Sequence, residues 1–277
     1  MRATRVKTCV VTGGSSGIGK EIARGLATAD ARVVIVARNS AKAEAAAEEI
    51  GGSVDVVLAD LSVQAQVRDL AARLLNAYPR IDVLVNNAGV YRLRRRETAD
   101  GIEEVLAVNH LAPFLLTNLL LDRLRASAPA RIVTVASAAH LSGHIDLDDL
   151  QMRRSYGHWR AYARAKLANV MFTFALARRL ENSGMTANCY HPGFVETSLG
   201  SGNRIPVRPF FLLMRPFIRS AAEGARTGVY LATSGEVEGL SGGYFHDEVP
   251  APTSSRARDE GAQERLWEES ARLTGLA

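Results

Sequence analysis

Three observations predict an α/β fold organised around one doubly wound parallel sheet. Apolar β-runs and helical periods alternate from the N-terminus onward. The first strand leads directly into a glycine-rich turn that opens a helix, the start of a βαβ unit. No composition break, low-complexity linker or internal repeat divides the 277 residues, and that length suits one large α/β domain.

The elements follow in order. Val6–Val11 reads as an apolar strand, and Thr12–Gly19 as the turn into a helix reaching about Ala29. Arg32–Ala37 predicts the second strand, and the Ala- and Glu-rich stretch Ala41–Ile50 the second helix. Val54–Ala59 predicts a third strand ending at Asp60, with a helix over 63–77. Asp82–Asn86 is a fourth strand stopped by Asn87-Ala-Gly89, and a long helix is expected over 101–125. Arg131–Ala136 is a fifth strand ending at Ser137, and 138–160 reads as a Gly-, His- and Asp-containing loop. The apolar period of Leu167, Val170, Met171, Phe174 and Leu180 predicts a helix from Ala161 to about Asn182. Thr186–Tyr190 is a strand broken by His191-Pro-Gly193, and 221–233, 243–246 and 263–273 read as helix, strand and terminal helix. Prolines, glycines and the cluster Phe210-Phe-Leu-Leu-Met214 lie between 194 and 220, where a substrate lid is expected.

Composition narrows the class. Hydrophobic content of 47% with 23% charged residues is that of an ordinary globular chain. A net charge of +5 with Arg dispersed along the chain does not suggest a nucleic-acid partner. Only Arg92-Leu-Arg-Arg-Arg96 is a basic run, which fits a solvated loop better than a phosphate patch. Cys9 and Cys189 both fall in predicted strands and read as small buried residues of a reducing compartment. Met1 is followed almost at once by a strand, with no signal-peptide pattern. The longest apolar runs, 111–121 and 210–214, fall short of the roughly 20 residues of a membrane span. A cytoplasmic location is therefore expected.

The turn Gly13-Gly-Ser-Ser-Gly17-Ile-Gly19 sits between strand and helix, where glycines let a backbone approach a pyrophosphate and helix N–H groups face an anion. Gly14, Gly19 and Lys20 also fit G-x-x-x-x-G-K, but Glu21 stands where a triphosphate loop needs a Mg²⁺-binding hydroxyl. The second strand ends at Arg38 with no acid at the position that would hold a ribose 2′-hydroxyl. An Arg there suits a 2′-phosphate, so NADP(H) is the expected dinucleotide. Tyr162-Ala-Arg-Ala-Lys166 places a phenol and an ammonium four apart on one helix face. A nearby ammonium favours the phenolate, lowering a pKa that is ordinarily about 10. The same spacing also fits a Lys stem laid over an aromatic ring in solvent.

These stretches together resemble the short-chain dehydrogenase/reductase family. Thr12-Gly-Gly-Ser-Ser-Gly-Ile-Gly19, Asp60-Leu61, Asn86-Asn-Ala-Gly89, Asn109, Ser137, Tyr162-x-x-x-Lys166 and Pro192-Gly193 occur in that family's order over about residues 5–246. Asn109-His-Leu-Ala-Pro-Phe-Leu-Leu-Thr117, Lys166-Leu-Ala-Asn169 and His191-Pro-Gly193 are similar to its retinol dehydrogenase-like branch. Ser137 and Tyr162 stand 25 positions apart, a longer spacing than in short members and one the branch often carries.

The resemblance implies a Rossmann-type sheet and a set of roles. Gly13, Ser15, Ser16, Gly17, Ile18 and Gly19 would surround the pyrophosphate, Arg38 the 2′-phosphate, and Asp60 with Leu61 the adenine. Asn87, Ala88 and Gly89 would line the adenosine ribose. Pro192, Gly193, Val195 and Thr197 would lie by the nicotinamide, with Thr197 bonding its carboxamide. Ser137 would bind the substrate oxygen and Lys166 the nicotinamide ribose, while Asn109 would hold a water relaying protons to Lys166. Tyr162 would then be the general acid that protonates a carbonyl oxygen, or the base in the reverse direction.

Rival assignments fit less well. Tyr156 and Arg160 imitate the Tyr–Lys spacing, but a flat guanidinium is not a compact ammonium, and Ser155 and Gly157 suggest loop. Ser137 lacks the G-x-S-x-G elbow of a hydrolase. His140 and His144 are four apart, but Ser142 and Gly143 between them argue against a helical metal pair, and no metal is expected. The expectation is an NADP(H)-dependent oxidoreductase acting on a hydrophobic alcohol, aldehyde or ketone, and a homo-oligomer is possible. The apolar stretch 210–217 fits a substrate lid as well as a subunit interface or a membrane-surface contact. The other class is a nucleotide-sensing protein of this fold without turnover, in which Ser137, Tyr162 or Lys166 should be damaged.

Overall fold

The structure, a computed structural model, describes residues 6–195 and 219–276. At its centre, among the described residues, is an eight-stranded sheet in the order β3-β2-β1-β4-β5-β6-β7-β8. The strands are β1 (Thr8–Thr12), β2 (Arg32–Ala37), β3 (Val54–Leu58), β4 (Val83–Asn86), β5 (Ala130–Val135), β6 (Met185–Tyr190), β7 (Tyr244–His246) and β8 (Val249–Pro250). All neighbouring pairs are parallel except β7 with β8. The helices that position the site are α1 (Gly17–Thr28), α2 (Ser40–Ile50), α3 (Gln64–Ala77), α4 (Glu104–Ala126), α5 (His158–Arg179), α6 (Ala221–Thr233) and α7 (Glu260–Thr274).

The central strands are mostly apolar, with runs such as Cys9–Val11, Val33–Ala37 and Val83–Val85 buried, because both sheet faces are covered. Successive residues serve opposite faces. Cys9, Val11, Val33 and Ile35 join Ile22 and Leu26 of α1, Ala43 of α2 and Leu231 of α6 in one cluster. Val10, Val34 and Val36 point the other way, against Leu70 and Leu74 of α3, Phe114 and Leu115 of α4, and Phe172 of α5. Burying a Leu or Ile side chain completely contributes about 1.5–3 kcal/mol, so the two layers fix the strand order. The cysteines are free and buried. Burial pushes both thiols up to about 12.

The long fourth helix departs from its expected form. It begins at Glu104 and not at 101, because the Glu103 carboxylate accepts from the amides of Val105 (2.8 Å) and Leu106 (2.9 Å). The same carboxylate receives Arg164 of α5 at 2.9 Å, in a buried pair. A π-turn then runs over Ala107–Leu111, with the Ala112 amide bonding back to the Ala107 carbonyl. Pro113 has no N–H to donate, and the register widens just ahead of it. The apolar segment is also longer than the run 111–121 suggested: Glu104–Ala126 is 23 residues and contains an 18-residue window with a mean hydropathy of 1.4, long and apolar enough by length and composition alone to cross a bilayer. In the fold, 78% of its most apolar window is buried.

Two smaller differences have local causes. Strand β8 follows a tight reversal in which Asp247 (φ 51°) and Glu248 (φ 67°) are both left-handed, as a two-residue hairpin demands. Asp-Glu carries no glycine signal for such a turn. Helix α7 starts at Glu260, earlier than 263, because the Asp259 side chain caps it through the Ala262 amide at 2.9 Å. It ends at Gly275 in the left-handed region. Thr197, the stretch 210–217 and most of the expected lid lie outside the described residues. The flanks of 196–218 are joined: the Arg219 amide donates to the Phe194 carbonyl (2.7 Å), and Val195 and Arg219 form a parallel bridge.

For Glu103 and Arg164, burial disfavours the charge on each partner, while their mutual attraction opposes that shift. Glu103→Ala strands the guanidinium and uncaps α4. Urea unfolding is expected to show a loss of about 3–5 kcal/mol, and a loss below about 1 kcal/mol would contradict this reading.

Candidate active site

The carboxyl ends of the parallel strands converge where the chain order reverses, between β1 and β4, the usual crevice of a doubly wound sheet. Thr12, the last residue of β1, ties the two strands together. Its Oγ1 accepts from the amides of Asn87 (2.9 Å) and Ala88 (3.1 Å) and donates to the Val85 carbonyl (3.2 Å). Asn87 Nδ2 returns to the Thr12 carbonyl at 2.8 Å and reaches that of Gly13 at 3.4 Å. The structure thus gives the Asn87 side chain a fastening job at the glycine turn.

Two glycines are sterically required there. A Cβ on Gly19 would sit 2.3 Å from the Gly13 carbonyl oxygen and 2.4 Å from Asn87 Nδ2. Gly13 itself has φ +68°, in the left-handed region. At Gly17, the first residue of α1, a Cβ would meet nothing within 4 Å, so the helix start opens onto free space. No acid stands in the first turn of α1, which leaves the N-terminus suited to an anion. Ser16 precedes it as the extended N-cap, with Ser15 beside it and Ile18 buried behind. Lys20, the residue that would serve a triphosphate, is instead ion-paired with Glu49 at 2.6 Å.

Arg38 lies exposed just after β2, and its guanidinium has no hydrogen-bond or ion-pair partner among the described residues. Asp60 follows β3, but its Oδ1 is engaged by the Ser62 amide (2.9 Å) and hydroxyl (2.7 Å). Leu61 packs into the core, so an adenine there would meet main chain more than the Leu side chain. Beyond β6, Gly193 has φ +83°, and a Cβ on it would lie 2.7 Å from Arg219 Cδ. Pro192 and Val195 both pack against Gly224 of α6.

Ser137, Tyr162 and Lys166 come together beyond β5. Ser137 caps a short 3-10 turn, its Oγ accepting from the Ala139 amide at 3.2 Å. Its side chain is also near enough to the Tyr162 phenol to favour the phenolate. His140 of the same turn hydrogen-bonds the Ser137 carbonyl through Nδ1 at 2.8 Å. Lys166 Nζ lies 5.7 Å from the centre of the Tyr162 ring and donates to the Val135 carbonyl at 2.7 Å. Asn109 is buried in the π-turn, with Oδ1 accepting from the Val90 amide (2.7 Å) and Nδ2 donating to the Val90 carbonyl (3.0 Å). Each end of its amide is thus engaged once, which leaves a lone pair and an N–H on the side chain, as well as the Asn109 main-chain carbonyl, for a water. Pro113, four residues on, has no N–H for that carbonyl.

The electrostatics correct one expectation. The ammonium was to lower the phenol, yet burial pushes Tyr162 up to about 12; the Ser137 side chain opposes this and neighbouring Tyr91 adds to it. Lys166 has turned to Val135 and is itself pulled down to about 8 by burial. Near neutral pH the pair is thus a protonated phenol beside an ammonium, an arrangement suited to giving a proton away. The imitation pair is separated: Tyr156 donates to the Arg92 carbonyl at 2.9 Å, and Arg160 bonds Ser155 Oγ at 3.0 Å.

Sequence reasoning passed over the aromatic surroundings of Tyr162. Tyr91 meets its ring edge-on at 5.5 Å between centroids, and Trp159 lies at 6.4 Å. The signal was available. Helix α5 starts at His158 and not at 161, which puts His158 and Trp159 four and three residues before Tyr162 on the same face.

The chain is similar to known proteins over most of its length. The model of the short chain dehydrogenase family matches residues 7–205. Human retinol dehydrogenase 13 is 43% identical over 98% of this chain and 85% of its own length. Human retinol dehydrogenase 12 is 44% identical, with coverages of 98% and 87%. Among solved structures, an uncharacterized protein from Mycobacterium Paratuberculosis has a TM-score of 0.81 at 36% identity, covering 97% of this chain and 93% of that one. A short chain dehydrogenase from Burkholderia cenocepacia J2315 in complex with NADP has a TM-score of 0.70 at 28% identity, with coverages of 86% and 95%.

Lys166 carries a stability consequence. A buried base whose pKa falls from 10.5 to about 8 destabilises the fold by about 3 kcal/mol wherever it must stay charged. The unfolded chain keeps the proton longer, so this cost is complete below pH 8 and is lifted between about 8 and 10.5. Lys166→Met, discounted by about 1 kcal/mol for the lost bond to Val135, is expected to be more stable than wild type at pH 7. The gap should close towards pH 10, as read by urea unfolding; a gap that widens with pH would refute the buried-charge account.

Proposed function

The chain belongs to the short-chain dehydrogenase family, in its retinol dehydrogenase-like branch, and from that premise we propose that this oxidoreductase uses NADP(H) to interconvert a carbonyl and a hydroxyl on a hydrophobic substrate. The observation that carries the reading is the convergence of Ser137, Tyr162 and Lys166 on a sheet whose first strand leads into a glycine turn opening a helix suited to an anion. The donor set fits the dinucleotide. Gly13, Gly17 and Gly19 would admit the pyrophosphate at the start of α1, and the unpaired Arg38 would meet a 2′-phosphate. Lys166 would bind the nicotinamide ribose, with Pro192, Gly193, Val195 and Thr197 beside the nicotinamide. When bound, the dinucleotide supplies or accepts the hydride.

The residues of the chain handle the oxygen and its proton. The Ser137 hydroxyl holds the substrate oxygen, and Tyr162 delivers a proton to it as charge develops there. The Lys166 ammonium compensates the phenolate left behind. Running the reaction towards the carbonyl requires Tyr162 to lose its proton first. From about 12, that costs on the order of 7 kcal/mol at neutral pH without further positive charge. The substrate class rests on the relatives named for retinol and on the apolar residues of 210–217; long-chain or ring-bearing aldehydes and ketones are the compounds to try.

Hydrophobic carbonyl compounds should be screened with NADPH and NADH side by side, following nicotinamide absorbance. Preference for NADPH is expected and should be lost in Arg38→Asp; equal or better use of NADH by wild type would sink the Arg38 assignment. Tyr162→Phe is expected to lower kcat by about 10²–10⁴-fold while NADPH binding, followed by fluorescence, persists. Turnover at the wild-type rate in that variant would remove Tyr162 from the mechanism.

A further inference from the structure

Tyr91 has no part in the mechanism above, yet it is built against the reactive phenol. It stands two residues past Asn86-Asn-Ala-Gly89, at the end of β4. Its ring meets Tyr162 edge-on, with centroids 5.5 Å apart and planes at 71°. Its hydroxyl is hydrogen-bonded to His158 Nδ1 at 2.5 Å, and the two rings are also edge-on, at 5.7 Å and 73°. His158 is the first residue of α5, one helical turn before Tyr162 and on the same side. One aromatic ring thus spans two successive turns of the catalytic helix, bonded to the first and packed against the second.

We propose that Tyr91, held by His158, is a positioning residue that sets the angle of the Tyr162 phenol towards Ser137. An edge-to-face pair is worth enough to bias a ring between orientations by several-fold. Among the described residues no other ring is so placed against Tyr162: Trp159 lies farther off, at 6.4 Å, and at a shallower 40°. The His158 bond is what makes the wedge directional. A phenylalanine at 91 would keep the packing surface but could slide along the helix, whereas a tyrosine bonded to α5 moves with the helix that carries Tyr162.

The inference rests on Tyr162 being the proton donor, and the test separates the two. In steady-state reduction, Tyr91→Phe and His158→Phe are each expected to lower kcat about 3–10-fold, with KM for NADPH unchanged. The double variant should be no worse than either single one, because both remove the same bond. His158→Asn, which can still accept from the Tyr91 hydroxyl, should restore most of kcat. Additive losses, an unchanged kcat in His158→Phe, or a rise in substrate KM alone would overturn the proposal, the last by making Tyr91 a substrate contact. Independently of turnover, NMR of protein labelled at tyrosine Cζ, with the Tyr162 signal assigned through Tyr162→Phe, should show that signal shifted in His158→Phe and returned by His158→Asn. A stationary signal overturns the positioning role. A moving signal in a protein that reduces no carbonyl leaves the positioning intact and overturns only the proposed activity.

Discussion

The tie between β1 and β4 made by the Thr12 hydroxyl is the constraint on which the other features hang. One oxygen takes two successive amides, at Asn87 and Ala88, and gives its own proton to Val85. Those contacts close the point where the sheet order reverses, where ladder pairing between β1 and β4 has ended at Val11 and Val85. Everything downstream on either strand inherits its position from this knot. The glycine turn departs from β1, and the chain leading to Val90 and Tyr91 departs from β4. Val90 in turn receives both ends of the Asn109 amide, and Tyr91 reaches the reactive phenol. The glycine turn and the Tyr162 phenol are thereby referred to a common origin.

Around that origin the fold places charge where burial opposes it. Lys166 is held down by desolvation and bonded to a main-chain carbonyl, and Glu103 and Arg164 are buried as a pair. These groups lie on or against α5, the helix that carries Tyr162. Glu103 also starts α4, so one carboxylate sets both the helix of the phenol and the helix of Asn109. Helix α7 braces the same region from outside. Trp267 packs edge-on against Phe114 at 4.9 Å and stacks on Phe172 at 5.7 Å, while Ser270 bonds His110 at 2.9 Å. Buried ionic groups are a weak source of stability but define a specific arrangement, and here they converge on the elements that must be aligned.

The sheet was legible because its strands are predominantly apolar and its turns carry glycine, Asn-Ala-Gly and Pro-Gly. The candidate trio Ser137, Tyr162 and Lys166 was legible only through the run of motifs in order, because Tyr and Lys four apart on a helix is by itself a common spacing. Features set by side chains bonding backbone were harder to read. Glu103 and Asp259 move helix starts by a turn, and neither announces which amide it will accept. The widened turn at Asn109 follows from Pro113, a visible residue whose effect depends on the surrounding packing. The direction of the Tyr162 shift was misjudged for a physical reason: helical spacing brings an ammonium near, but burial and the lure of the Val135 carbonyl decide where its charge acts. Tyr91 is separated from Tyr162 by more than seventy positions, and only the folded chain brings the rings together.

The junction of Val195 with Arg219 has an evolutionary meaning. The two positions pair directly, the Arg219 amide closes on Phe194, and its guanidinium grips Asp247 through both carboxylate oxygens. The chain leaves the sheet and returns to it through a doorway that the rest of the fold holds shut. Closing a loop costs only the logarithm of its length, about 0.6 kcal/mol for each doubling. Residues may therefore be gained, lost or exchanged between these two posts at little thermodynamic cost, and the strands behind the doorway need not register the change.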